Sequence, residues 1–199
     1  MKPIVIILSV LILYSSSVRA TDSVGDIYDA IRREDVGGVK STLAADTNAV
    51  NFVGEKAFTL LHFAAQHGSS NGTEILKFLL ANGANIEAKN HIGQTPLFGA
   101  VIYDNLEGTK ILIAHGAKVN VRQASGGTPL HAAAINSYCE VARALIRNGA
   151  AIKAKDSEGK TPLRLALEQQ ERYRAEGDAI SSKRYQEMIT LLREGEAKK

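Results

Sequence analysis

Apolar residues recur three and four positions apart through most of this chain, the spacing of one face of an α-helix. Ile27, Ala30 and Ile31 share such a face, and Val36, Val39 and Leu43 share the next. Ile75, Phe78 and Leu79 form another, Leu130, Ala133 and Ala134 a narrow one of small residues, and Tyr185, Met188, Ile189 and Leu192 the last. Polar, glycine-containing stretches separate them, so the pattern predicts helices in pairs: 59–67 with 74–82, 96–103 with 107–115, a helix opened by Pro129 with 138–148, and 163–176 with 182–194. Gly83, Gly116 and Gly149 close the second member of three pairs, as glycine does where the backbone must turn left-handed. Gly37-Gly38 and Ser69-Ser70-Asn71-Gly72 read as turns between helices, and 90–93, 123–126 and 156–159 as hairpin tips. Gly108 falls inside a predicted helix, where glycine costs about 1 kcal/mol relative to alanine.

The helix starts share a motif. One opens as Gly126-Gly127-Thr128-Pro129-Leu130-His131. Thr-Pro-Leu returns at Thr95-Pro96-Leu97 and Thr161-Pro162-Leu163, with a worn copy at Thr59-Leu60-Leu61-His62. A threonine there can accept a first-turn backbone N–H, and proline at the first helical position gives up only an N–H that has no partner in any case. The copies start 36, 33 and 33 residues apart, with Gly93, Gly126 and Gly159 two residues before the last three threonines.

A fixed period with this motif resembles the ankyrin repeat. The resemblance implies an all-α fold, an ankyrin-repeat solenoid of about five stacked helix-turn-helix repeats with short β-hairpin fingers. Its repeats would run 26–58, 59–94, 95–127, 128–160 and 161–195, after a lead-in at 21–25 and before a frayed tail at 196–199. The family's motif histidine ties the helix start to neighbouring backbone; His62 and His131 match it, whereas Phe98 and Arg164 replace it. Thr59, His62, Thr95, Pro96, Thr128, Pro129, His131, Thr161 and Pro162 are therefore expected to be structural. The first repeat lacks the motif and is charged from Arg32 to Asp35, and the last carries an insertion of 13 residues. Both suit terminal caps that meet water on their outer side.

Residues 1–20 read as a secretory signal peptide: Lys2, an apolar run over 4–14, then Ser15 to Ala20 with the cut after Ala20. An uncleaved anchor would need about 20 apolar residues. Export to a bacterial periplasm or secretion is the expected localisation, with no membrane insertion once the signal is removed. Losing Lys2 and Arg19 lowers the formal charge from +3 to +1, so no whole-molecule field draws the protein to nucleic acid. Cys139 is the lone cysteine, which excludes an internal disulfide, and it reads as buried filler at the start of a second helix.

Catalytic and cofactor patterns are missing from the sequence. Gly159-Lys160-Thr161 lacks the glycine five residues earlier that a phosphate loop needs, since Ala154 stands there. The five histidines have no metal-ligand spacing, though His67 and His91 could approach across neighbouring fingers. No serine sits in a Gly-x-Ser-x-Gly elbow. No catalytic residue, cofactor or metal is expected, and the chain reads as a non-enzyme.

By resemblance, contacts surround the finger glycines and the outer ends of the first helices on a concave face. Phe58, His67, His91, Ile92, Gln94, Ile102, Tyr103, Ser125, Ile135 and Asn136 form the candidate protein-binding set, with Glu55, Lys56, Gln66, Ala124, Ser157, Glu158 and Lys160 around them. Ile92, Ile102, Tyr103 and Ile135 would make an apolar strip, the kind of surface that marks an interaction site. The expected partner is an unidentified protein and the chain a monomer. Likeness to small exported bacterial ankyrin proteins also implies, as an alternative, a periplasmic accessory role in oxidative-stress defence.

Overall fold

A computed structural model describes residues 25–197. The expected signal peptide, residues 21–24 of the lead-in and the last two residues of the tail lie outside the described residues. Helix α1 covers 25–32, followed by α2 (Val36–Ala45), α3 (Leu60–Ala64), α4 (Ser70–Ala81), α5 (Pro96–Ile102), α6 (Leu106–Ala114), α7 (Pro129–Asn136), α8 (Cys139–Arg147), α9 (Pro162–Ala175) and α10 (Ala179–Ala197). First helices stack in chain order, α3 on α5, α5 on α7 and α7 on α9. Second helices do the same, α2 on α4, α4 on α6, α6 on α8 and α8 on α10. Each pair thus touches the equivalent pair beside it, the linear arrangement of a repeat array.

The core runs between the two helix layers, and small residues let them approach. First helices bury alanines, Ala64, Ala100, Ala133, Ala134 and Ala166, so their backbones can approach closely. Both layers also bury bulk: Leu60, Leu61, Leu97, Phe98 and Leu130 on first helices, and Ile75, Leu76 and Leu79 on α4, Leu112 on α6, Val141 and Leu145 on α8, and Met188, Ile189 and Leu192 on α10 among the second helices. Full burial of a side chain such as Leu76, Leu112 or Leu145 contributes about 1.5–3 kcal/mol.

Two expected turns are helix instead. Gly37 and Gly38 lie in the first turn of α2, and Ser70, Asn71 and Gly72 in the first turn of α4. The cause is a capping side chain just before each helix. Asp35, Ser69 and Asn105 each accept the backbone N–H three residues on, from Gly38, Gly72 and Gly108. Side-chain room is scarce at those glycines: a Cβ at 38 would stand 2.5 Å from the Asp35 carboxylate, and one at 72 would stand 2.6 Å from the His67 Cβ. The three extra residues of the second period therefore extend a helix. At the other end α10 runs through Ala197, past the point where fraying was expected, with Gly195 against Ile152. Tyr173 and Tyr185 stack at 5.6 Å and join α9 to α10.

The fingers are tight turns with two backbone hydrogen bonds each: Asn90 N–H to Gln94 O, Gln123 N–H to Gly127 O and Asp156 N–H to Lys160 O, with the Gly93, Gly126 and Gly159 N–H groups donating back to Asn90 O, Gln123 O and Asp156 O. Among the described residues, strand pairing is limited to an isolated bridge between Val53 and Thr59. Gly93, Gly126 and Gly159 take φ of 74–78° in these turns. The first finger has Ala57 at the same place with φ 58°.

Candidate functional site

The candidate face is built from finger tips and first-helix ends. Backbone hydrogen bonds join each finger to the next: His91 N–H donates to Lys56 O at 2.9 Å, Ala124 N–H to Ile92 O at 2.8 Å and Ser157 N–H to Ser125 O at 3.0 Å. The Gln94 amide adds a 2.7 Å bond to Gln123 Oε1. A row tied this way is already ordered before anything binds, which lowers the entropic cost of docking.

Ile92, Tyr103 and Ile135 are 39, 59 and 39% exposed. His91, Ser125 and Asn136 are also exposed, while Phe58, His67, Gln94 and Ile102 are half-buried. Because α5 packs on α7, Ile102-Tyr103 and Ile135-Asn136 stand at corresponding ends of adjacent helices. Ile92 and Ser125 stand at adjacent tips. His67 and His91 turn to different partners: His67 Nδ1 lies 3.2 Å from Glu34 Oε1, and His91 Nδ1 lies 3.0 Å from the Lys56 carbonyl. The Phe58 ring packs against His62, Phe63 and His91, and the Asn136 amide donates to Ala132 O.

The two motif histidines brace the face from beneath. His62 Nε2 lies 3.0 Å from Gln94 O, and His131 Nε2 3.1 Å from Lys160 O. A carbonyl can only accept, so Nε2 carries the proton and Nδ1 the lone pair. Nδ1 then accepts the backbone N–H of Thr59 or Thr128, 3.1 Å away in each case. Each neutral imidazole thus links a helix start to the following finger. Burial lowers both pKa values, against the raising effect of the carbonyl contact. Phe98 fills the same position without these bonds, and the buried Thr95 hydroxyl has no hydrogen-bond partner among the described residues. At 164 the arginine pairs with Glu168 instead, and the Thr161 hydroxyl accepts the Arg164 backbone N–H.

Two features escape the sequence reading. At the first finger, Tyr28 packs edge-on against Phe63 at 4.9 Å and Phe52 at 6.4 Å, leaving Phe52 and Val53 exposed. Their signal was an apolar pair in a polar stretch without helical spacing. At the far end, a cavity of about 270 Å³ opens between the end of α7, the middle of α9 and the start of α10, with Ile135 and Asn136 on its wall. Arg172 and Arg184 both face it. Asp104, in a left-handed conformation at φ 53°, lies near Arg184. Burial raises the Asp104 pKa, and the Arg184 charge opposes that rise. Cys139 is half-buried against the core; burial, then the Glu187 charge, raises its thiol pKa.

The arrangement offers contact surface. Among the described residues, no group of three or more His, Cys, Asp or Glu is placed to hold a metal ion, and no helix is long and apolar enough to cross a membrane. Residues 27–123 match a family model described as Ankyrin repeats (3 copies), and 112–166 match one described as Ankyrin repeats (many copies). No curated protein matches the chain. Linear stacking of helix pairs, finger-to-finger backbone bonds and these matches, which together span 27–166, agree. The chain belongs to the ankyrin-repeat family, whose repeats generally serve as protein–protein interaction modules and typically carry no catalysis.

Proposed function

We propose that this chain is an exported, monomeric binding module that holds a partner protein along the finger tips and first-helix ends of its middle repeats. The carrying observation is the exposure of Ile92, Tyr103 and Ile135 on neighbouring elements. Apolar side chains grouped on a preorganised surface favour docking, because water leaves them and little chain entropy is lost. Export rests on the composition of residues 1–20: a lysine, an apolar run and a small residue at the expected cut. The test is crosslinking in the native compartment with Tyr103→Asp and Ile135→Asp variants. Both side chains are exposed, so thermal stability should change little. The captured partner should be lost from both variants; full capture by a folded double variant would overturn the proposed face.

A further inference from the structure

We propose that the cavity between α7, α9 and α10 receives a carboxylate side chain of the partner protein, placed beside the apolar segment that lies on Ile135. This rests on the partner-binding reading above and adds the chemistry of the partner.

A count of hydrogen bonds in the cavity wall supports it. The Ser137 hydroxyl donates to the Arg184 carbonyl at 3.0 Å, the Tyr185 hydroxyl donates to the Ile135 carbonyl, and the Asn136 amide donates to Ala132 O. Those donors hold the wall together. Arg184 forms no ion pair within 4 Å among the described residues. Arg172 lies over the Tyr173 ring at 4.7 Å, and its one paired carboxylate, Glu176, is 3.8 Å away with both side chains more than half exposed. Arg172 and Arg184, each carrying a guanidinium fork, thus line one concavity from two helices. A carboxylate satisfies such a fork with charge-assisted bonds.

Net charge selects among anions. Asp104 stands near Arg184, Glu176 near Arg172, and Asp178 accepts from Ser181 at the start of α10. The surplus positive charge is small, so a singly charged carboxylate fits better than a phosphate dianion. The cavity, about 270 Å³ and largely polar, has room for one short side chain.

The probe is acetyl-Glu-Phe-amide, compared with acetyl-Gln-Phe-amide and inorganic phosphate. Binding is read from the arginine Nε–Hε signals of the isotope-labelled full chain. The glutamate peptide should shift Arg172 and Arg184 saturably below about 10 mM, and the glutamine peptide should bind about tenfold more weakly. Arg172→Gln and Arg184→Gln should each weaken glutamate binding about tenfold, because each removes a charge-assisted contact. Equal binding of the two peptides, or no saturable shift by about 10 mM, would overturn the proposal. Phosphate binding tighter than the glutamate peptide would also overturn it, in favour of a phosphate ligand. The titration uses no partner, so its failure is separable from failure of the docking face: loss of capture in Tyr103→Asp would leave that face standing.

Discussion

Replacing Gly108 by alanine separates local propensity from tertiary packing. By propensity alone, Gly108→Ala should stabilise α6 by about 1 kcal/mol. The structure reverses the sign. A Cβ at 108 would stand 2.8 Å from Asn105 Cγ. Asn105 cannot move without loss, because its amide donates to Ala65 O at 3.0 Å and His67 O at 2.9 Å, and its carbonyl accepts Gly108 N–H at 2.8 Å. Displacing the side chain removes a helix cap, costing about 1 kcal/mol, and two bonds to the preceding repeat, about 1 kcal/mol each. Less the propensity gain, the variant should lose about 2 kcal/mol of stability. At about 2–4 °C per kcal/mol for a domain of this size, the thermal midpoint should fall by about 4–8 °C. Urea unfolding followed by far-ultraviolet circular dichroism measures the change directly. The control is Asn105→Ala with Gly108→Ala: once the cap is absent, alanine at 108 should help, giving a coupling of about 3 kcal/mol. A Gly108→Ala protein more stable than the parent, or additive variants, would refute the account.

Gly126→Ala should cost more than about 2 kcal/mol, because φ is 74° there and a Cβ would stand 2.8 Å from Ser157 N, breaking the finger-to-finger contact; denaturant midpoints check it. Ala57→Gly should stabilise by about 1 kcal/mol, since the alanine already sits at φ 58°; a lower thermal midpoint would contradict this. Stability should also fall with acidification. Burial holds the pKa values of His62 and His131 below the ordinary 6.5, so the unfolded chain takes up protons first as pH drops. Their contribution is complete above 6.5 and is lost as pH falls through the folded values. Urea midpoints measured across that range should drop in the parent and change less in a His62→Ala, His131→Ala protein, which starts out less stable.

The period and the polarity of each repeat were legible along the chain. Pro96, Pro129 and Pro162 set helix starts because φ and a missing N–H act within the residue. Gly93, Gly126 and Gly159 set turn positions because a positive φ is likewise local. Spacing of Ile75, Phe78 and Leu79 marked a buried face because helical period is a property of a single segment. Asp35 and Ser69, three residues before Gly38 and Gly72, are caps of the same local kind. Tertiary packing, by contrast, set the tie of Asn105 to Ala65 and His67 in the preceding repeat. It decided that His67 meets Glu34 of the preceding pair. It also left Tyr103 exposed while half-burying its neighbour Ile102. Arg172 and Arg184 lie on one cavity only because α9 folds back on α10. Local rules act over one or two turns of chain, whereas burial and charge pairing depend on which distant segments pack together.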